Sequence, residues 1–413
     1  MLSPYTVLDL TDDHGELAGM MLGDLGANVI KVEPPEGSTS RRMGPFIDDL
    51  VNGGQTASQS QEASLHYYAF NRNKRGIILD LEAKAGREAL LKLAETADFI
   101  IESAPPGRMA ELGLGFDSLK AVNPRIIYVA ITAFGQDGPY SGMAASDLTL
   151  AAMAGPMSLQ GVPERAPVRI SVPQAWLHAS SEAAVAALTA HALMIRTGEG
   201  QFVDVSAQAA MVWTMLHGMS AHAIQGYDFN REGSDVQLGP VTLPVVYECA
   251  DGYVVLITSG AVLTKMVHWW VEEGIVPADW IDAEDWPTYE RRLLYLEPMN
   301  KDLNQVVDAA RRYVANKTKQ ELLELGLREG VTLAPVSNME NLVRFRHLED
   351  REYWLSAPLP GGGETTAPGA FVKLSETPMS VRHRPPHLGQ HNQEVLGGTL
   401  GLSDSQIASA AGR

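Results

Sequence analysis

The stretch GIILDLEAKAGREALLKLAETADFIIES, residues 76 to 103, decides the fold class of this chain. Two apolar segments, 76–81 and 98–103, flank a segment, 83–97, whose leucines and alanines recur at helical spacing. The flanking segments are apolar nearly throughout, which is typical of parallel strands that are buried on both faces. The stretch therefore predicts a strand, a helix and a second parallel strand joined by a right-handed crossover.

The same alternation extends over the first 135 residues. Further strands are predicted at 5–10, 28–33 and 125–134, and further helices at 15–26 and 118–123. A long Ala-rich helix follows from about residue 178 to 196, with Gly198 as its stop signal. These segments predict an α/β fold in which a large domain, residues 1–224, is built around a parallel sheet.

The character of the sequence changes near residue 225. A polar segment over 225–240 is followed by VVYECADGYVVLIT (245–258), which is typical of a hairpin with an Asp-Gly turn. Amphipathic helices follow the hairpin. We therefore expect a smaller α+β domain over 225–340 and a linker over 341–374.

Composition excludes several classes of protein. The 413 residues carry a formal charge of −18, which argues against nucleic acid or an anionic membrane as the main partner. The single cysteine, Cys249, forms no internal disulfide and fits a reducing cytoplasm. We see no signal peptide, and no uninterrupted apolar run approaches the ~20 residues that span a bilayer. We therefore expect a cytoplasmic protein that binds neither nucleic acid nor membrane.

Several short motifs are candidates for ligand contacts. FNRNKRG places Lys74 and Arg75 before the third strand, PPGRM places Arg108 after the fourth, and AFGQDGPY places Gly135 and Gln136 after the fifth. The cationic side chains either lie in solvated turns or bind the phosphates of a ligand. The glycine would allow the backbone to approach a ligand closely. The G-x-G-x-x-G motif of nicotinamide-binding folds is missing, and the sequence predicts no metal site.

Six segments, taken together and in order, resemble the class III (CaiB/BaiF) CoA-transferases, the family of formyl-CoA and carnitine CoA-transferases. The segments are DLGANVIKVEPPEG (24–37), FNRNKRGIILDL (70–81), GLGFDSLKAVNPRIIYVAITAFGQDGPY (113–140), RTGEGQFVDVS (196–206), LAPVSNMENL (333–342) and HLGQHNQEVLGGTLGLS (387–403). The resemblance implies a Rossmann-like large domain completed by residues of about 375–413, a smaller domain, and an interlocked dimer. It also implies a CoA thioester as substrate and no tightly bound cofactor.

In active members of that family an Asp attacks the acyl-CoA thioester and passes CoA to a second carboxylic acid through covalent intermediates. The pattern around that Asp resembles G-x-P-x-A-D, and here the matching residues are Ser171 to Ala175 followed by Trp176. Trp176 therefore stands at the nucleophile position. The next carboxylate, Glu182, lies six residues on, ~9 Å further along a helix.

Asp147 is the alternative carboxylate. It follows Ser146 in SDLTLAAM, where a helix begins, so it is either an N-cap or a functional group. The resemblance places it at a family position that is usually acidic. Related racemases need a His immediately before this acid, and Ser146 disfavours that activity.

Two other departures concern CoA. The first loop, TDDHGELAGMML, lacks the A-G-P turn of the family, and Glu111 stands where some members have an Arg. We therefore expect CoA to bind this chain weakly, through Lys74, Arg75 and Arg108, or to bind only the partner subunit.

The combination resembles the non-catalytic subunit of two-subunit members such as the succinyl-CoA:(R)-benzylsuccinate CoA-transferases. It implies a paralogous catalytic subunit that carries the Asp, in an interlocked heterodimer or heterotetramer, with Trp176 buried in a redundant site. Two alternatives stay open. One is a self-sufficient homodimeric CoA-transferase that uses Asp147, and the other is a non-enzymatic CoA-binding assembly protein.

Overall fold

The computed structural model of the chain describes residues 1–47, 63–238, 240–359 and 363–413. The chain forms two compact units. The first contains residues 1–157, 169–228 and 349–413, and the second contains residues 158–168 and 229–348. These divisions differ from the boundaries expected at 224 and 340, because residues 158–168 pack with the second unit and residues 349–374 with the first.

A six-stranded parallel sheet forms the first unit. Its strands are β1 (Thr6–Leu10), β2 (Asn28–Glu33), β3 (Lys74–Ile78), β4 (Phe99–Glu102), β5 (Ile127–Thr132) and β6 (Phe202–Ser206). The strand order is β3-β2-β1-β4-β5-β6, and every neighbouring pair is parallel. This is the order of a Rossmann fold. The predicted α/β fold with a Rossmann-like sheet is confirmed.

Among the described residues, nine helices of this unit lie before residue 229. They are α1 (Glu16–Asp24), α2 (Leu65–Phe70), α3 (Lys84–Ala94), α4 (Arg108–Glu111), α5 (Phe116–Val122), α6 (Asp147–Met153), α7 (Ala175–Thr197), α8 (Ala207–Trp213) and α9 (Leu216–Gln225). Helix α7 begins three residues before the predicted start. It ends at Gly198, whose φ of 78° is a left-handed conformation that glycine adopts without strain.

Helices cover both faces of the sheet, as the apolar strands predict. Val7, Ile101 and Val129 point to one face, where they form a core with the alanines of α7. Their sequence neighbours, such as Leu8 and Ile100, point to the other face and form a second core with α3. Both cores are closed to water, so the chemistry of the sheet is confined to its edges and strand ends.

The second unit is an α+β structure. Its strands are β7 (Asp235–Leu238), β8 (Val241–Pro244), β9 (Val246–Cys249), β10 (Gly252–Leu256) and β11 (Leu333–Pro335). β7 and β8 pair with each other, and β9, β10 and β11 form an antiparallel sheet in the order β11-β10-β9. Its helices are α10 (Gly260–Glu272), α11 (Tyr289–Leu294), α12 (Leu303–Ala315), α13 (Lys319–Glu329) and α14 (Met339–Val343). Trp270, Trp280 and Trp286 form the aromatic part of its core.

The end of the chain returns to the sheet of the first unit. After the short helix α15 (Arg346–Asp350), it forms the hairpin β12 (Trp354–Pro358) and β13 (Glu364–Pro368) and the helix α16 (Asp404–Ala410). Near the outer edge of β3, the Ile78 N–H donates to Asn392 Oδ1 at 2.9 Å and the Asp80 N–H donates to the Ala410 carbonyl at 2.8 Å. These bonds satisfy backbone groups at and just beyond the end of the edge strand.

Within the described ranges, every helix is too short or too polar to cross a bilayer.

Candidate functional site

The candidate site lies where the strand order reverses, at the carboxyl ends of β1 and β4. We call the loops that follow β1 (11–15), β4 (103–107) and β5 (133–138) the switch-point edge. Here the Asp12 N–H donates to Ser103 Oγ at 2.9 Å, and the Ser103 hydroxyl donates to Asp12 Oδ1 at 2.8 Å. These bonds tie the first two loops together. In open parallel sheets, ligands bind outside the strand ends at this point.

Trp176 contacts the switch-point edge through His14. Trp176 is the second residue of α7, and its ring centroid lies 4.1 Å from that of His14, with 35° between the ring planes. His14 belongs to the DDHG loop, residues 12–15, where the family resemblance leads one to expect an A-G-P turn. The tryptophan at the nucleophile position and the unusual first loop are therefore in direct contact with each other. Trp176 is half buried against the core, whereas we expected full burial, because the segment before it, 171–173, is exposed.

Two carboxylates surround the His14 ring. His14 Nδ1 lies 3.2 Å from Asp12 Oδ1, and Nε2 lies 3.5 Å from Asp13 Oδ2. Burial opposes charge on the imidazole, but the hydrogen bond and charge of Asp12 and the charge of Asp13 raise the pKa of His14 above its ordinary value. Burial also opposes charge on Asp12, yet bonds from His14 and Ser103 lower the pKa of Asp12 to about 2. The loop therefore favours a protonated imidazole beside the Asp12 and Asp13 carboxyl groups.

Asp147 holds the start of α7. Its Oδ1 accepts the backbone N–H groups of Gln174, at 2.6 Å, and of Ala175, at 2.7 Å. The N-cap of its own helix, α6, is Ser146, which forms a capping box with Thr149. Asp147 was interpreted from the sequence as an N-cap or a functional carboxylate. It caps a different helix, the one that carries Trp176.

Two of the five predicted ligand contacts, Gly135 and Gln136, lie at the switch-point edge, and a third, Arg108, lies directly after its second loop. Gln136 Oε1 accepts the N–H of Gly107, at 3.4 Å, which brings the loop after β5 to the residue before Arg108. Gly135 has a φ of 93°, and a Cβ there would lie 3.3 Å from Asp204 Oδ2, so the turn requires glycine. Arg108 is exposed and already pairs with Glu82 and Glu111.

Lys74 is not available to a ligand in this structure. Its side chain is fully buried, and Nζ lies 2.7 Å from Asp9 Oδ2 and donates to the Glu16 carbonyl at 2.7 Å. Lys31 and Glu16 complete the buried cluster, with Lys31 Nζ 3.1 Å from Glu16 Oε1. Burial alone would raise the pKa of Asp9, but Lys31 and Lys74 hold it below its ordinary value. Lys74 is thus part of a buried ion pair in this structure, and its role as a phosphate contact stays a prediction.

Arg75 lies at the opposite end of the strands from the switch-point edge. It is the second residue of β3, where it donates to Asn28 Oδ1 at 2.7 Å and pairs with Glu394 at 2.6 Å. Ligands of open parallel sheets collect at the carboxyl ends of strands, not at their amino ends. The structure therefore separates Arg75 from Arg108, Gly135 and Gln136, with which it was grouped.

The switch-point edge is acidic. Besides Asp12 and Asp13 within its loops, it is flanked by Glu102 at the end of β4 and by Asp204 of β6, beside Gly135. Glu102 is buried, and burial raises its pKa to about 7 although the Ala104 N–H and the Tyr128 hydroxyl both donate to it. Burial likewise raises the pKa of Asp204. Carboxylates repel phosphates, so this edge opposes a polyphosphate such as CoA.

Comparison with known proteins identifies the family. The family model described as CoA-transferase family III matches residues 2–392. The chain belongs to CoA-transferase family III. Members of this family are transferases that use CoA thioesters as substrates, and the resemblance noted from the sequence is confirmed.

Similar proteins include a subunit of a CoA-transferase. The chain is 32% identical over 399 residues to the succinyl-CoA:(R)-benzylsuccinate CoA-transferase subunit BbsE of Thauera aromatica, with 95% of this chain and 93% of that protein covered. It is 30% identical over 403 residues to the succinyl-CoA:mesaconate CoA-transferase of Haloarcula hispanica, with 96% and 95% covered. The crystal structure of a CAIB/BAIF family protein from Brucella suis matches with a TM-score of 0.78 and 25% identity, covering 95% and 98%.

In this family III chain, the DDHG loop was not predicted from the sequence as a site in its own right. Asp12, Asp13 and His14 bring three possible metal ligands within 4.8 Å of one another. Their polar atoms already bond to each other, to Ser103 and to Thr39, so we interpret them as a hydrogen-bonded network. The signal was present in the sequence, because two acids and a histidine directly follow the central strand of the sheet.

Proposed function

We propose that this chain is the non-catalytic subunit of a heteromeric CoA-transferase. The observation that carries the proposal is Trp176 at the start of α7, where the family resemblance places the nucleophilic Asp. An indole has neither the nucleophilic oxygen nor the leaving ability that a covalent acyl transfer needs. Chemistry in the complex therefore belongs to a paralogous subunit that carries the Asp.

The two carboxylates nearest in sequence do not replace the nucleophile. Asp147 uses one oxygen to hold two backbone N–H groups of α7, so attack on a thioester would release the helix start. Glu182 lies on α7 itself, six residues and ~9 Å along the axis from Trp176. This geometry disfavours the self-sufficient homodimer that would use Asp147.

We place CoA binding mainly in the partner subunit. Lys74 is buried against Asp9, Arg75 lies at the amino end of β3, and Arg108 pairs with two glutamates. The acidic switch-point edge adds repulsion toward the CoA phosphates. We expect no tightly bound cofactor in this chain, because CoA enters and leaves as a thioester substrate.

We propose succinyl-CoA as the CoA donor and a small organic acid as the acceptor. The similar proteins from Thauera aromatica and Haloarcula hispanica are both named for succinyl-CoA, and the first is also named for (R)-benzylsuccinate. Benzylsuccinate is therefore the first acceptor to test. The single cysteine, Cys249, is compatible with an enzyme that works in a reducing cytoplasm.

An exposed apolar surface supports a large subunit interface. Large apolar side chains of α7, α8 and α9 face solvent in the isolated chain: Val185, Leu193, Ile195, Trp213, Leu216, Met219 and Ile224. Monomeric proteins rarely expose contiguous apolar patches of more than a few hundred Å². We propose that the catalytic paralogue covers this surface in an interlocked heterodimer or heterotetramer.

Co-expression with a paralogous family III chain that carries Asp at the position of Trp176 tests the proposal. We expect the two chains to elute together in size-exclusion chromatography and to transfer CoA from succinyl-CoA. A non-enzymatic assembly protein would also elute with the paralogue, but omitting it would leave the paralogue's turnover unchanged. Separate elution of the two chains, with full activity in the paralogue alone, would contradict the proposal.

A further inference from the structure

The ring contact between His14 and Trp176 has a charge-dependent strength. A cation over the face of an indole, within ~6 Å of its centroid, is attracted by the ring quadrupole, and Trp is the best aromatic partner for this. The 4.1 Å centroid separation lies inside that range. A neutral imidazole keeps only its dispersion contact with the indole. The protonation state of His14 therefore determines how firmly the two rings hold together.

The groups around the His14 ring favour the cation. Asp12 and Asp13 from its own loop face its two nitrogens, at 3.2 and 3.5 Å. Among the described residues, the contacts from neighbouring elements are neutral groups: Trp176 stacks on the ring, the Ser103 hydroxyl donates to Asp12, and the Thr39 hydroxyl donates to Asp13. Glu102, next to Ser103, adds negative potential at Asp12 when it is ionised.

Asp147 is the remaining carboxylate at the start of α7. Its Oδ1 is held by the Gln174 and Ala175 amides, which lie directly before Trp176. These bonds fix the helix start and thereby the position of the indole. The Trp176 indole is thus held in place, and the group that titrates, the His14 imidazole, belongs to the DDHG loop.

We propose that His14 and Trp176 form a proton-dependent plug at the switch-point edge. With His14 protonated, the imidazolium is held between the Asp12 and Asp13 carboxylates and the Trp176 indole, and the rings close the edge beside α7. When His14 loses its proton, the cation–π attraction and both ion pairs are lost together, and the DDHG loop releases the indole. The plug is a property of this chain and does not depend on which partner it binds.

The direction of the pH dependence follows from the raised pKa of His14. A histidine whose folded-state pKa is raised stabilises the folded contact fully below its ordinary pKa, and this contribution disappears as pH rises through the raised value. Asp12 is ionised throughout this window, because its pKa is about 2. The plug is therefore closed in mildly acidic solution and opens on the alkaline side of the ordinary histidine range.

Tryptophan fluorescence of the full chain between about pH 5 and about pH 9 tests the plug. A protonated imidazole in contact with an indole quenches its emission and shields it from the neutral quencher acrylamide. The emission of Trp176 is obtained by subtracting the spectrum of Trp176→Phe from that of the wild-type chain. We expect this emission to increase, and its quenching by acrylamide to become stronger, as pH rises through a single midpoint. His14→Gln should abolish this titration.

Two further variants separate the plug from a general pH effect. Asp12→Asn should lower the midpoint by on the order of one pH unit, because one carboxylate no longer stabilises the cation. His222→Gln is the matched control, since His222 also pairs with an aspartate, Asp228, at 2.7 Å, and it should leave the titration unchanged. A Trp176-dependent signal that does not titrate, or a midpoint that stays the same in Asp12→Asn, would overturn the proposal.

Discussion

Asp147 Oδ1 lies 2.7 Å from the backbone nitrogen of Ala175, a residue 28 positions further along the chain. The same oxygen accepts the Gln174 N–H, and the Gln174 side chain does not cap α7. A carboxylate at a helix N-terminus satisfies N–H groups that have no partner within the helix and interacts favourably with the helix dipole. Asp147 is thus a cap from a distant segment, and its charge is already used for structure.

Asp147→Ala should therefore destabilise the chain without removing CoA transfer from the complex. Loss of a capping side chain typically costs about 0.5–2 kcal/mol of the free energy of unfolding. Asp147→Asn keeps an acceptor oxygen and should lose less. Urea denaturation of the three proteins measures the effect, and Asp308→Ala, which removes an exposed acid paired with Arg312, is the matched control. If Asp147→Asn folded normally and abolished transfer, Asp147 would be catalytic.

Lys74→Met should be among the most destabilising substitutions in the first unit. The substitution leaves Asp9 buried beside one cation, Lys31, instead of two. Breaking a buried ion pair by removing one partner costs about 3–5 kcal/mol. Arg108→Ala removes an exposed pair and should leave the free energy of unfolding nearly unchanged. A stable Lys74→Met chain that differed only in CoA affinity would restore Lys74 as a ligand contact.

Ionisation of Glu102 should lower the free energy of unfolding as pH rises from about 4.5 to about 7. Its folded-state pKa is above its ordinary value, so the unfolded chain loses this proton first, and each pH unit in that window favours unfolding. Glu102→Gln should remove this part of the pH dependence. Denaturation at several pH values measures it, with Glu111→Gln as the exposed control. Parallel curves for the wild-type chain and Glu102→Gln would contradict the raised pKa.

Trp176→Asp should produce a folded but inactive chain. Trp176 is half buried, so we expect a loss of about 2 kcal/mol, below the ~3–5 kcal/mol of a fully buried aromatic. The introduced carboxylate still faces the DDHG loop and an acidic edge. Mass spectrometry after incubation with succinyl-CoA should detect no enzyme-bound CoA thioester. Trp176→Phe is the control, because it keeps an aromatic ring at this position and introduces no carboxylate. A thioester on residue 176 would mean that the rest of the site is intact.

The sheet was predictable because its strands are buried on both faces. Strands such as 125–134 are apolar at nearly every position, and that pattern leaves few alternatives to a parallel sheet. The capping role of Asp147 was not predictable, since it joins segments that the sequence does not connect. The contact of His14 with Trp176 was not predictable for the same reason, because the two residues lie in segments that are far apart in the sequence.

The burial of Lys74 was not predicted for a different reason. FNRNKRG is polar enough to be interpreted as a solvated turn, yet β3 begins within it, at Lys74. A signal was available in the other strands. Asp9 in YTVLDL and Lys31 in NVIKVE are charges inside otherwise apolar strands, and such charges are buried only when they are paired. Three charges on neighbouring strands predict a buried cluster more directly than they predict a phosphate site.

CoA transfer by the purified lone chain tests the central claim most directly. The assay supplies succinyl-CoA and a panel of carboxylic acids that includes benzylsuccinate, and the CoA esters are identified by mass spectrometry. We predict no turnover by the lone chain, and turnover after addition of a paralogous subunit that carries the Asp nucleophile, because removal of a nucleophile typically costs several orders of magnitude in rate. Robust turnover by the lone chain that disappears in Asp147→Asn would contradict the account.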